Sequence, residues 1–138
     1  AKMCSEALAE IAQVAHDLGF RLQLKPKRPY LRSQGLKIQH SVNYLAQLDR
    51  LESEKMLTRL DSGVSISESI LNCQIVIGLP FTSPVLAASR LNRPSIYYAP
   101  LEAGGWDIPS ERDGILVLRG KKHLFDYLAK VIQENRDI

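Results

Sequence analysis

The spacing of apolar positions changes several times along the chain, and each change marks an element. Leu8, Ile11, Ala12, Val14, Ala15 and Leu18 recur at helical spacing, and Gly19 follows as a stop, so an amphipathic helix is predicted from Met3 to Leu18. Phe20, Leu22 and Leu24 then alternate with Arg21 and Gln23, which predicts a strand. It runs into a basic, proline-stiffened loop, Lys25-Pro26-Lys27-Arg28-Pro29. Arg32 to Ser41 is polar and patterned for neither element. Leu45, Leu48 and Leu51 predict a short helix over Val42 to Leu51, and Met56 to Leu60 reads as a strand ending at the turn Asp61-Ser62-Gly63. Ser65, Ser67 and Glu68 suit the first turn of a further helix, with Ile66, Ile70 and Leu71 as its apolar stripe.

The stretch from Asn72 to Leu91 organises the rest. Ile75, Val76 and Ile77 form a β-branched run inside a predicted strand, Gln74 to Leu79, of the kind covered on both faces in a parallel sheet. Pro80 stops the strand, Thr82 or Ser83 can cap a helix, and Pro84 falls where a first-turn proline costs no hydrogen bond. The helix is predicted to start near Ser83 and to end at Asn92-Arg93-Pro94. Such a junction aims backbone N–H groups and a positive dipole end at the carboxyl end of a strand, where an anion binds readily. Read more plainly, Thr82 and Ser83 only cap a helix.

Downstream, Pro94 to Ala99 and Gly114 to Leu118 are predicted strands, Pro100 to Gly114 is a loop, and Lys122 to Glu134 is a last helix. Alternating strands and helices predict an α/β fold: a Rossmann-like three-layer sandwich with a mostly parallel sheet of about five strands and ligands outside the carboxyl ends. A parallel layout normally opens on a strand, whereas this chain opens on a helix. We therefore expect residues 1–138 to form a single domain cut from a longer protein.

Composition narrows the function classes. With 138 residues, 45% of them hydrophobic, the chain can bury a core. A net charge of +3 is too mild to argue for nucleic acid, and no apolar run reaches the roughly 20 residues that span a bilayer. Cys4 and Cys73 lack zinc-like spacing and read as buried or half-buried thiols in a reducing compartment, hence the cytoplasm. His16, His40 and His123 have no partner at metal spacing, and neither a metal nor a cofactor is expected. Phosphate fingerprints of the GxGxxG and GxxxxGK[ST] types and a GxSxG elbow are absent.

Three polar clusters follow predicted strands: Lys25 to Arg28, Asp61 to Glu68, and Thr82-Ser83. Cations beside a helix N-terminus can hold a diphosphate, and hydroxyls add neutral hydrogen bonds. The basic loop reads equally as a solvated strand end. Past Tyr98, Glu102 and Asp107 can accept hydrogen bonds from sugar hydroxyls, while Trp106 can stack on a sugar or anchor the sheet edge.

Leu79-Pro80-Phe81-Thr82-Ser83-Pro84, the strand Pro94-Ser95-Ile96-Tyr97-Tyr98 and the turn Leu24-Lys25-Pro26-Lys27 resemble bacterial surface-polysaccharide biosynthesis proteins recognised by a PFTS motif. These look like the C-terminal donor-binding half of GT-B glycosyltransferases and are similar to teichoic-acid glycerophosphotransferases. The resemblance covers roughly Leu22 to Pro100. It implies that Thr82 and Ser83 meet the donor phosphates, that Lys25 and Lys27 neutralise them, and that Ser67 and Glu68 lie near the nucleotide. Glu102 would serve the nucleotide or sugar, although Ala99 stands where an acidic residue is expected. The implied partners are a nucleotide-sugar donor and, through an N-terminal domain this chain lacks, a glycan acceptor. The full-length enzyme would work in the cytoplasm or at the inner face of the membrane, with peripheral membrane association compatible with that role, and the isolated chain would be inactive. The alternative is a non-catalytic nucleotide- or phosphate-binding module of the same fold.

Overall fold

The computed structural model describes residues 2–25, 38–61, 63–80, 83–101 and 108–136. It is an α/β protein whose chain divides into two compact units, residues 1–65 and 66–138.

The first unit contains α1 (Lys2–Leu18), β1 (Gln23–Leu24), α2 (Ile38–Ser53) and β2 (Thr58–Arg59). The periodic residues of α1 are its buried ones: Leu8, Ile11, Ala12, Val14 and Ala15 are all below a tenth exposed. Leu8 and Ala12 pack with Leu48, Leu51 and Leu57, and Leu22, Leu24, Leu45 and Met56 close the cluster. β1 and β2 pair in parallel, Gln23 with Thr58 and Leu24 with Arg59, so β1, α2 and β2 form one crossover unit. Both strands are shorter than the alternation of Phe20 to Leu24 and Met56 to Leu60 predicts.

Three of the helix stops obey one rule. Gly19, at φ 79°, donates its N–H to the His16 carbonyl, and Phe20 donates to that of Ala15. Lys55 (φ 61°) and Met56 repeat this on Glu52 and Leu51 at the end of α2. Asn92 (φ 59°) and Arg93 repeat it on Ser89 and Ala88 further on. Each is a Schellman closure, in which one left-handed residue turns the chain back and satisfies two orphan carbonyls.

The second unit runs α3 (Ile66–Leu71), β3 (Val76–Gly78), α4 (Ser83–Arg90), β4 (Ser95–Ala99), β5 (Glu111–Arg112), β6 (Ile115–Arg119) and α5 (Lys121–Arg136). Its sheet has the order β3-β4-β6-β5, with β3, β4 and β6 parallel and β5 antiparallel. β4 is its inner spine: Ile96 to Ala99 are buried without alternation, as a parallel strand covered on both faces should be. Tyr97 and Val117 stand side by side in register and pack with Ile115 and Val85 of α4. On α5, Leu124 and Leu128 are buried, as its spacing predicts.

Two expectations are revised. Among the described residues the strands divide over sheets of two and four, the larger one mixed, where a single mostly parallel sheet of about five was expected. The loop read from Pro100 to Gly114 contains β5, which a two-residue turn joins to β6. Asp113 and Gly114 take φ of 55° and 79° there, the positive-φ pair of a type I′ hairpin turn.

Candidate functional site

The best-formed candidate lies at the carboxyl edge of the second unit's sheet. Parallel pairing puts Gly78 opposite Tyr97, and Ala99 opposite Arg119, so β3, β4 and β6 all end on that edge. β3 closes at Gly78, and α4 opens at Ser83 with Pro84 second, as the sequence predicts. A proline here sacrifices no bond, because the first four N–H groups of a helix have no partner within it. Val85 and Ala88, fully buried, bed α4 on the sheet, while Ser83 and Pro84 remain exposed. A helix N-terminus is thereby fixed at the end of a parallel strand, with its positive dipole end and a hydroxyl facing solvent.

Behind this edge is a residue that the sequence reading passed over. Arg119 ends β6, and its Nη2 donates to the carbonyls of Pro100 and Leu101 at 3.5 and 3.2 Å. Its Nε is buried without an acceptor, and its backbone N–H donates to Nδ1 of His123 at 3.3 Å. With Gly120 N–H bonded to the Ala99 carbonyl, the guanidinium fixes the chain where β4 gives way to loop. The signal was a cation ending an otherwise apolar strand just before a glycine.

Of the residues singled out from sequence, Ser83, Ser67 and Glu68 belong to the second unit. Ser67 and Glu68 lie in the first turn of α3 and are exposed. Lys25 belongs to the first unit, half-buried directly after β1. Lys27, Thr82 and Glu102 lie outside the described residues, as do Trp106 and Asp107. The turn after β2 forms as predicted: Gly63 N–H donates to Asp61 Oδ1 at 3.0 Å, and Val64 N–H to its carbonyl at 3.1 Å.

The chain belongs to the family of polysaccharide biosynthesis PFTS motif proteins. The family model matches residues 1–128, beyond the Leu22 to Pro100 span that carries the resemblance by eye. The letters of the family's motif stand at Pro80-Phe81-Thr82-Ser83, between β3 and α4 in sequence. No match was found among curated proteins or solved structures.

Other polar features of this family member are structural. Arg59 on β2 donates through Nη2 to Asp49 at 2.8 Å and to Glu52 at 2.7 Å, and its backbone N–H meets Glu52 Oε2 at 3.3 Å. This ties the last turn of α2 to β2. Hydrogen bonds from Arg59 hold the Glu52 carboxyl below its ordinary range, and the bond to Glu52 raises Arg59 in turn. Cys73 is half-buried with its thiol pushed up by burial, and Sγ contacts the Ile70 carbonyl at 3.2 Å, which suits an inert thiol. Among the described residues, no group of three His, Cys, Asp or Glu could hold a metal ion. Nor is any helix there long and apolar enough to cross a membrane. An open groove of about 430 Å³, lined by Ser5, Ala46, Gln47 and Arg50, contains none of the predicted site residues.

Proposed function

We propose that this chain is the nucleotide-sugar donor-binding domain of a glycosyltransferase in surface-polysaccharide biosynthesis, the Rossmann-like C-terminal half of a GT-B enzyme. One observation carries this reading: in sequence the motif Pro80-Phe81-Thr82-Ser83 stands between β3 and α4, and α4 begins at Ser83 just past the carboxyl end of a parallel strand. That edge is where open α/β sheets take their ligands, and a helix N-terminus there favours an anion. A nucleoside diphosphate supplies the anion.

On this reading, Thr82 and Ser83 meet the donor phosphates, and Lys25 and Lys27 neutralise them. Ser67, Glu68 and Glu102 serve the nucleotide or the sugar. Negative charge builds on the leaving diphosphate in the transition state, and groups already aimed at it lower the barrier without reorganising. Acceptor and general base belong to a second, N-terminal domain, so the full-length protein transfers the sugar while this chain alone binds the donor. The enzyme would work in the cytoplasm or at the inner face of the membrane.

Calorimetric titration with UDP, GDP, CDP, CMP and their sugars at low salt tests the reading. Saturable binding of one nucleotide, lost in Ser83→Ala and in Lys27→Ala, is expected. Absence of binding by any of them, to this chain and to the full-length protein, would overturn it.

A further inference from the structure

We propose that the groove between α1 and α2 in the first unit binds a hydroxylated anion of monosaccharide size, a sugar acid or a sugar phosphate. The two helices pack along Leu8, Ala12, Leu48 and Leu51, and beyond that cluster polar residues line the space between them. Ser5 of α1 and Ala46, Gln47 and Arg50 of α2 border an open groove of about 430 Å³, at the small end of the range for ligand sites. Ala46 and Gln47 come four and three positions before Arg50, which makes all three neighbours on one face of α2. Ala46 is exposed and carries only a methyl group, so the groove stays open at its middle.

The polar groups here are incomplete. Gln47 Nε2 donates to the Ser5 carbonyl at 3.0 Å, which fixes the orientation of the amide, since a carbonyl accepts only from its NH2 end. Gln47 Oε1 is thereby turned away from Ser5, and it is buried with no donor among the described residues. Leaving a buried carbonyl oxygen without a donor costs more than an ordinary hydrogen bond contributes, so a ligand hydroxyl that reaches it gains by entering. Because Oε1 is buried beside the groove, the amide turns about its bond to Ser5 as that hydroxyl arrives. Arg50 is exposed and forms no ion pair with a described carboxylate, while its neighbour Asp49 is held by Arg59. An unpaired guanidinium beside an orphan acceptor selects a ligand that joins negative charge to a nearby hydroxyl, and its fork takes carboxylate and phosphate alike. This site does not rest on the donor reading, because none of its residues is assigned to the nucleotide.

Calorimetric titration of the chain with glucuronate and with glucose-6-phosphate tests the proposal, with glucose, acetate and inorganic phosphate as controls. Saturable binding of at least one sugar anion is expected, about tenfold or more tighter than any control, and the one that binds identifies the charged group as carboxylate or phosphate. Arg50→Gln removes the charge and Ala46→Phe fills the groove. Both positions are exposed, so each variant should weaken binding by about tenfold or more at unchanged melting temperature. Gln47→Met, which removes the acceptor, should weaken it too. No saturable binding of either sugar anion, binding that survives Arg50→Gln and Ala46→Phe, or a control that binds as tightly would overturn the proposal. Nucleotide titration of the same variants reports separately on the α4 junction.

Discussion

Replacing Gly120 with alanine separates backbone strain from side-chain crowding at the start of α5. Gly120 has φ 85° and donates its N–H to the Ala99 carbonyl, while its own carbonyl accepts from Leu124 N–H at 3.2 Å. A Cβ here would lie 2.7, 3.0 and 3.3 Å from Cγ, Cδ1 and Cδ2 of Leu101. Those distances look prohibitive, but Leu101 is 70% exposed and can rotate its side chain into solvent. Strain therefore dominates. Holding a residue with a Cβ in the left-handed region costs about 1–2 kcal/mol. Reduced freedom of the unfolded chain offsets roughly 0.4–1 kcal/mol of that, leaving a net loss of about 1 kcal/mol. Gly114→Ala is the control, because Gly114 has φ 79° and nothing within 4 Å of its Cβ position. Urea denaturation of both variants should show similar losses, with Leu101→Ala restoring little to Gly120→Ala. A loss several times that of Gly114→Ala, largely cancelled by Leu101→Ala, would refute the reasoning.

Two further outcomes probe the first unit. Leu48, fully buried among Leu8, Ala12, Leu51 and Leu57, should cost about 2–5 kcal/mol as Leu48→Ala in denaturant unfolding, with the cavity accounting for the spread. Because Glu52 titrates below its ordinary value of 4.5 in the folded state, its contribution is complete above that value and is lost as pH falls through the lower folded value. The stability difference between wild type and Glu52→Gln should thus shrink as pH falls through this window, and a difference constant with pH would contradict it.

Much of this architecture was legible because single side chains decide it. The α1 stripe and the starts and stops of α1 and α4 follow from apolar period, Gly19, Pro84 and Asn92, all local signals. β5 was missed: Asp113-Gly114 is a strong hairpin dipeptide, but exposed Glu111 and Arg112 show no apolar alternation and read as loop. The division of strands between two sheets is set by long-range pairing, which no local pattern encodes. The α4 junction was found through the prolines and hydroxyls of its turn. Arg119 was missed because its role is defined by the carbonyls of Pro100 and Leu101, eighteen or more positions away.

The most direct measurement of the central claim is a calorimetric titration of Ser83→Asp beside the wild-type chain with the nucleoside diphosphate it binds best, together with their denaturation curves. An aspartate at the α4 N-terminus favours the helix by about 0.3–1 kcal/mol but repels a phosphate placed there. The account predicts a variant at least as stable as wild type that no longer binds the nucleotide. A stabilised variant that binds it as tightly as before would contradict the account and leave Ser83 as no more than the start of a helix.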